Sequence, residues 1–366
     1  MAPHDVNTKN HEFIDDVEIY RFQYWFTKKG QRVAYGGGML DNLAHAFLAK
    51  IQFPFFLLFF FLKGLKVGKK CDLFHAIWIP SGFVSIFIRK FFRKKFKIPI
   101  FLLVLGGGLR STPNFFSKWV LKRMDVINSY QPELTELIKS LVPNKKLVSI
   151  PLIYETKKIS LSDLSRLKYE LDIENEKVVL YMARFVEIKD PLTFIKAIPS
   201  IIANYNDIKF IMVGDGPLME KVKCEIKRLK IEDYIILTGF RNDRFIFYKL
   251  ADVFVTISPI ENIWSSTIIE VTLSGAPCIL SKSGYTDKIF TDGFDAILVK
   301  TKNEKELANG ILSLINDENK REYIAKNALK TISKYNFKKE TIVSEHLEIF
   351  KKLINRQREK KIRGGL

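Results

Sequence analysis

Apolar and polar positions along the second half of the chain follow two alternating periods. Short apolar runs at 178–183, 208–213, 234–237, 253–257, 278–281 and 296–299 predict buried strands. Between them, apolar residues at helical spacing predict helices over 191–205, 218–230, 243–250 and 266–274. Strands alternating with helices build a parallel sheet covered on both faces, a doubly wound α/β domain. The first half is less regular. It predicts strands at 72–77, 100–105, 125–128 and 147–150, and a helix over 132–141. The polar, strand-poor stretch 151–176 suits a connection, and 338–363 reads as one long closing helix. The expected division is therefore 1–150, 151–335 and a last helix in 336–366 that crosses back toward the N-terminal domain and ends in a basic tail.

The 366-residue length also fits two domains. A hydrophobic content of 47% excludes wholesale disorder. The charge is unusual: 59 Lys and Arg against 40 Asp and Glu leave +19. It is uneven, with +13 in residues 1–150 and +9 of that between Lys63 and Lys97. Such an excess speaks of anionic partners, not of fold. The three cysteines, Cys71, Cys224 and Cys278, are far apart, which argues for a reducing compartment and against a zinc site. The first thirteen residues carry no apolar run, unlike a signal peptide. The uncharged run 51–62 has twelve residues, too few to span a bilayer, which needs about 20.

Two constellations carry candidate chemistry. Arg184 and Lys189 lie on the loop after the first strand of the second domain, at the edge where open α/β sheets bind ligands. Arg offers a planar fork and Lys a point charge, so the pair can clamp a diphosphate; the alternative is two solvated surface charges. Further on, Ser266 and Thr267 open a helix whose free N–H groups can face an anion. Glu270, one turn in, suits the paired hydroxyls of a ribose. The alternative is an ordinary helix cap at Ser265 or Ser266, with Glu270 on a solvated face.

In order and spacing these motifs resemble the retaining glycosyltransferases of family 4. The supporting pieces are Val213-Gly-Asp-Gly-Pro217, Leu237-Thr-Gly-Phe240, Ala251-Asp-Val-Phe-Val255, Ser258-Pro259, Ser274-Gly-Ala-Pro277 and the stretch from Asp292 to Val299. The resemblance is close over 175–335 and looser before it. It implies the GT-B fold, two Rossmann-like doubly wound domains facing a cleft, and a nucleotide-sugar donor held by the C-terminal one. It implies that Arg184 and Lys189 bind the diphosphate and Glu270 the ribose, with no metal or other cofactor. Fixed cations suit that task, because breaking the glycosidic bond pushes charge onto the β-phosphate. The acceptor it implies is lipid-linked or a polysaccharide.

The chain departs from the pattern in places. The position eight before Glu270 is Asn262, with the acid Glu261 one residue earlier, so either of them is a candidate sugar contact. Phe74-His-Ala-Ile-Trp78 keeps one histidine, His75, as the candidate on the acceptor side. Gly106 and Gly107 follow Leu105, where many members carry a histidine; both are candidate donor contacts. Residues 2–5 resemble the end of the family's second strand, so the first β-α-β unit is expected to be missing and the N-terminal domain incomplete. Tyr35-Gly-Gly-Gly38 reads as a turn, and 39–42 opens no clear helix. A remnant that binds nucleotide or a partner without turnover is the alternative function.

The basic stretch interleaves with aromatics. On a helix over 82–96, Phe87 and Phe91 share a face beside Arg89, Lys90, Arg93 and Lys94. That pattern predicts an interfacial helix on an anionic membrane, and a cytoplasmic protein peripheral to the membrane face; a core helix with a basic solvated side is the alternative. The run 51–62 offers a second apolar surface nearby. Nucleic acid is disfavoured as partner, since no recognised nucleic-acid module is present.

Overall fold

The computed structural model describes the whole chain except residues 6–7, 35–38, 93–97, 106–108, 110–111, 155, 259–264, 284–285, 336 and 364–366. The chain forms two compact units, one of residues 1–152 with 338–366 and one of 153–337.

The first unit begins with β1 (Ala2–Pro3), β2 (His11–Ile14) and β3 (Val17–Phe22), which form a three-stranded sheet in the order β1-β3-β2. The β2–β3 hairpin turns through Asp15 and Asp16, both in the left-handed region at φ 47° and 62°. Two helices follow, α1 (Met39–His45) and α2 (Phe47–Gly68). Residues 39–42 thus do open a helix, contrary to the sequence expectation. Next come β4 (Phe74–Ile77), α3 (Trp78–Phe92), β5 (Ile100–Leu103), α4 (Asn114–Leu121), β6 (Val126–Asn128), α5 (Pro132–Leu141) and β7 (Leu147–Val148). Strands β4-β5-β6-β7 form a parallel sheet, and Ile79, Leu102, Val120 and Ile127 are central to its core.

The apolar run 51–62 is part of a longer element than its uncharged length suggested. Helix α2 continues through Lys63 and Lys66 to 22 residues, long and apolar enough by length and composition to cross a membrane. Lysine is a good helix former, so the charge that ends the apolar run does not end the helix.

The second unit holds α6 (Leu161–Glu170), β8 (Lys177–Met182), α7 (Pro191–Ile202), β9 (Ile208–Val213), α8 (Met219–Leu229), β10 (Ile235–Gly239), α9 (Arg244–Leu250) and β11 (Val253–Thr256). It continues with α10 (Ser266–Ser274), β12 (Cys278–Ser281), β13 (Ile297–Val299), α11 (Glu304–Ile315) and α12 (Glu318–Ser333). Helix α6 sits in the stretch read as a bare connection, started by a capping box between Ser160 and Asp163. The six strands form a parallel sheet ordered β10-β9-β8-β11-β12-β13. Its central strands are buried on both faces, which is why they read as unbroken apolar runs.

The last helix, α13 (Lys339–Arg363), belongs to the first unit. Its Leu353, Ile349 and Phe350 pack against Phe101 of β5 and Val126 of β6.

Candidate active site

In the six-stranded sheet the winding direction reverses between β8 and β11. From β8 the chain moves outward through β9 to β10, then returns to β11 on the other side and moves outward through β12 to β13. Loops leaving the carboxyl ends of two such adjacent strands diverge and leave a crevice, the usual ligand site of open α/β sheets. Here the two loops are 183–190, after β8, and the segment after β11 that leads into α10.

The first loop carries Arg184, exposed, and Lys189, half-buried. Its course is fixed by backbone bonds. Ala183 N–H donates to the Val213 carbonyl (3.1 Å), Phe185 N–H to that of Asp215 (2.9 Å), and Leu218 N–H to that of Phe185 (3.0 Å). The Gly214-Asp-Gly216 turn therefore lies flat against this loop. A Cβ at Gly214 would stand 1.9 Å from the Ala183 carbonyl oxygen, and one at Gly216 2.5 Å from that of Phe185. Gly214 also sits at φ 141°, where side chains are strained. The Tyr181 hydroxyl donates to the Lys189 carbonyl (2.7 Å). Asp190, at φ 50°, caps α7 by accepting from the Thr193 backbone N–H (3.4 Å), and it also accepts from the Thr193 hydroxyl (2.8 Å). A bond from the Ser258 hydroxyl to the Ile188 carbonyl (2.6 Å) ties the two loops of the crevice together.

The second loop opens α10. Among the described residues no side chain caps this helix: Ser265 stands at the cap position without a side-chain cap hydrogen bond, contrary to the capping alternative. Ser266 is exposed and Thr267 half-buried in the first turn. Glu270 is not on a solvated face. It is 6% exposed, and the Arg244 guanidinium at the start of α9 holds it through two bonds, Nε to Oε2 (2.9 Å) and Nη2 to Oε1 (3.1 Å). Arg244 in turn lies over the Phe245 ring, 4.4 Å from its centroid. Tyr248, 2% exposed, adjoins Glu270 and Thr267; burial, then the Glu270 charge, push its phenol pKa up. Arg244 and Tyr248 are site residues that the sequence reading passed over. A buried acid needs a partner, but nothing in the sequence points to one 26 residues away.

Glu261 and Asn262 lie outside the described residues, as do Gly106, Gly107, Arg93 and Lys94.

Comparison with known proteins shows what this part of the chain resembles. Residues 166–331 match the family model described as glycosyl transferases group 1. Over these residues the chain is similar to that family. The chain is 23% identical to N-acetyl-alpha-D-glucosaminyl L-malate synthase of Bacillus anthracis, over 76% of the chain and 74% of that protein. It is 28% identical to alpha-monoglucosyldiacylglycerol synthase of Streptococcus pneumoniae, over 51% of the chain and only 42% of the relative. Among solved structures, Anabaena Alr3699/HepE in complex with UDP and glucose superposes with a TM-score of 0.70 at 19% identity, covering 92% of this chain and 86% of that one. The fold is GT-B. Arg184, Lys189 and Glu270 all lie inside the matched residues.

In the first unit, His75 of β4 is exposed by surface area, yet protein crowds one side of its ring. Phe101, Phe350 and His346 lie with ring centroids 5.1, 5.6 and 6.2 Å away. Desolvation by that crowd, then repulsion from His346, lower its pKa to about 4. Trp78, three residues on, stands at φ 73°, and its buried indole N–H meets no acceptor among the described residues. His75 and Trp78 line a cavity of about 440 Å³, and Trp78 also lines an apolar one of about 270 Å³ against Phe53 and Leu57 of α2.

The basic helix differs from its expected form. It spans Trp78–Phe92, and Phe87, Lys90 and Phe91 are exposed. Arg89 is not a lipid-facing cation. Its guanidinium donates to the Asp125 carboxylate and to the Arg123 carbonyl, both at 2.6 Å, bracing α3 against the start of β6.

Proposed function

We propose that the chain is a retaining hexosyltransferase that moves a hexose from a nucleotide-sugar to a lipid-linked or polysaccharide acceptor at a membrane surface. The observation that carries this reading is the switch point between β8 and β11. Arg184 and Lys189 follow β8, while α10, with no side-chain cap among the described residues, and its Arg244-held Glu270 follow β11, and this arrangement about the switch point supports the reading. A diphosphate matches the cations and the helix end, and a ribose diol matches the carboxylate.

In this reading the bond from the sugar C1 to the β-phosphate oxygen breaks, and one from C1 to the acceptor oxygen forms. The acceptor's proton ends on the departing phosphate. Arg184, Lys189 and the α10 N–H groups take up the charge that grows there, so side chains and a helix end stand in place of a metal. Glu270, oriented by Arg244, holds the nucleoside half. The name of the pneumococcal relative, a glucosylated diacylglycerol synthase, favours a lipid acceptor for this chain. The basic first unit and the exposed Phe87, Lys90 and Phe91 favour action at the cytoplasmic face of a membrane.

The experiment is a thermal-shift panel of UDP-, GDP- and ADP-sugars, followed by release of free nucleotide from the best binder. A ligand that binds only the native state raises the melting temperature. A shift with slow turnover supports the transferase. A shift with no turnover in the presence of lipid acceptors identifies a nucleotide-binding remnant, and no shift with any sugar nucleotide overturns the donor site.

A further inference from the structure

Helix α2 has two unlike faces. The inner face buries Ala49, Gln52, Phe56, Gly64 and Gly68. The Gln52 amide accepts from the Arg32 N–H and donates to the Gly30 carbonyl, both at 2.8 Å. A Cβ at Gly64 would stand 2.3 Å from Ile88 Cδ1, so α2 and α3 pack closely at this glycine. The outer face presents Phe47, Ile51, Phe55, Leu58, Phe59 and Leu62, each at least 41% exposed. At 100° per residue these six fall within an arc of about 120°, along roughly 22 Å of helix. Isolated exposed apolar side chains are ordinary; a continuous stripe of this size marks an interaction surface.

Charge identifies what covers it. No acid occurs between Phe47 and Lys70, and Lys50, Lys66, Lys69 and Lys70 are all exposed. Lys66 and Lys69 continue the same face one to two turns beyond Leu62. An apolar stripe that runs into lysines matches acyl chains beneath a layer of phosphates.

We propose that α2 lies lengthwise in the interface of an anionic membrane, with the Phe47–Leu62 stripe among the acyl chains and its lysines at phosphate level. This rests on the membrane-surface reading above and moves the docking element from α3 to α2. The helix is long enough to span, but a spanning helix needs lipid or partner helices around it. Here the inner face is already taken by the first unit, through a buried, hydrogen-bonded Gln52.

Flotation of the full chain with vesicles of phosphatidylglycerol and phosphatidylcholine tests this. The wild-type chain floats, and Leu58→Ser/Leu62→Ser lowers its partition by about tenfold or more. The melting temperature of that variant stays near the wild-type value, because both side chains are exposed. Lys66→Gln/Lys69→Gln weakens flotation less and removes part of its salt dependence. Three results overturn the assignment to α2. The first is a serine variant that floats as well as wild type while Lys90→Gln does not; this leaves the membrane reading standing with α3 as its face. The second is a wild-type dimer in solution that the serine variant abolishes, which makes a second copy the cover. The third is a bound chain that resists alkaline extraction, which makes α2 a span. A wild-type chain that does not float overturns the membrane reading itself.

Discussion

The Arg244 guanidinium grips the Glu270 carboxylate from the facing helix, with Nε–Oε2 at 2.9 Å and Nη2–Oε1 at 3.1 Å. The acid side chain is 7% exposed and the base 35%. The pair is thus lopsided: Arg244 can be hydrated and Glu270 cannot. Each carboxylate oxygen accepts one bond from the arginine, and the Tyr248 phenol adjoins the same carboxylate, so the acid is held in one orientation.

Arg244→Ala should cost about 2–3 kcal/mol of stability, the loss expected on orphaning a buried acid, discounted for the partly open arginine. Donor affinity should fall with it. Arg244→Met combined with Glu270→Leu should regain most of the stability and none of the donor binding. Urea denaturation and nucleotide-sugar titration of the three proteins check this. A double variant that binds donor normally would remove Glu270 from the site.

Arg184→Ala should lower turnover by about 100-fold or more, the scale seen when one fixed donor to a developing anion is lost. Lys189→Ala should act in the same direction. Neither should unfold the loop. The backbone bonds of Phe185 and Leu218 hold one end, and the Lys189 carbonyl is held by Tyr181 whatever the side chain. Unchanged turnover in Arg184→Ala, with the melting temperature also unchanged, would disprove the diphosphate assignment.

These residues differ in how far the sequence disclosed them. The sheet of the second unit was legible because its strands are buried on both faces, leaving runs such as Val178-Val-Leu-Tyr181 between polar breaks. The place of Arg184 and Lys189 on the loop after such a strand was legible because the polar residues that follow the apolar run mark where the strand ends. Arg244 was not, because its importance lies in a contact across 26 residues that only the folded chain makes. The β2–β3 hairpin was missed for two reasons. It turns on Asp15-Asp16 with no glycine, and its Phe13, Ile14 and Val17 point outward, so apolar residues do not mark an inner face. Helices α11 and α12 did carry start signals, Asn303 and Asp317, whose side chains cap them in the structure.

Gly214→Ala tests whether the glycine turn shapes the Arg184 loop. The new methyl would meet the Ala183 carbonyl oxygen at 1.9 Å, and the backbone, at φ 141°, cannot turn away without breaking the Gly214 N–H bond to the Gly239 carbonyl (2.9 Å). A loss of roughly 2–4 kcal/mol is expected. The donor KM should rise as well, because the displaced partner is the segment carrying Arg184. Gly239→Ala is the control. It also has a positive φ, 68°, but its Cβ would meet nothing within 4 Å, so a smaller stability loss and an unchanged KM are expected.

His75 predicts a pH dependence of stability with a definite sign. Its pKa is about 4 in the folded chain and near 6.5 when unfolded. Between these values the unfolded state binds the extra proton, so the neutral ring's contribution to stability is present above about 6.5 and lost as pH falls toward 4. His75→Gln has no such group. Its melting temperature, relative to wild type, should therefore rise as pH is lowered from 7 to 4.5, whatever the offset at neutral pH. The ring keeps an exposed face, so solvent screening will make the effect smaller than for a fully enclosed histidine. His346→Gln should raise the His75 pKa toward its unfolded value by removing the second cause of its depression, and so make the acid loss smaller and end it at a higher pH. Melting curves across that range, with the His75 titration followed by NMR, check both. A constant gap between wild type and His75→Gln would show that the imidazole titrates alike in the folded and unfolded chains.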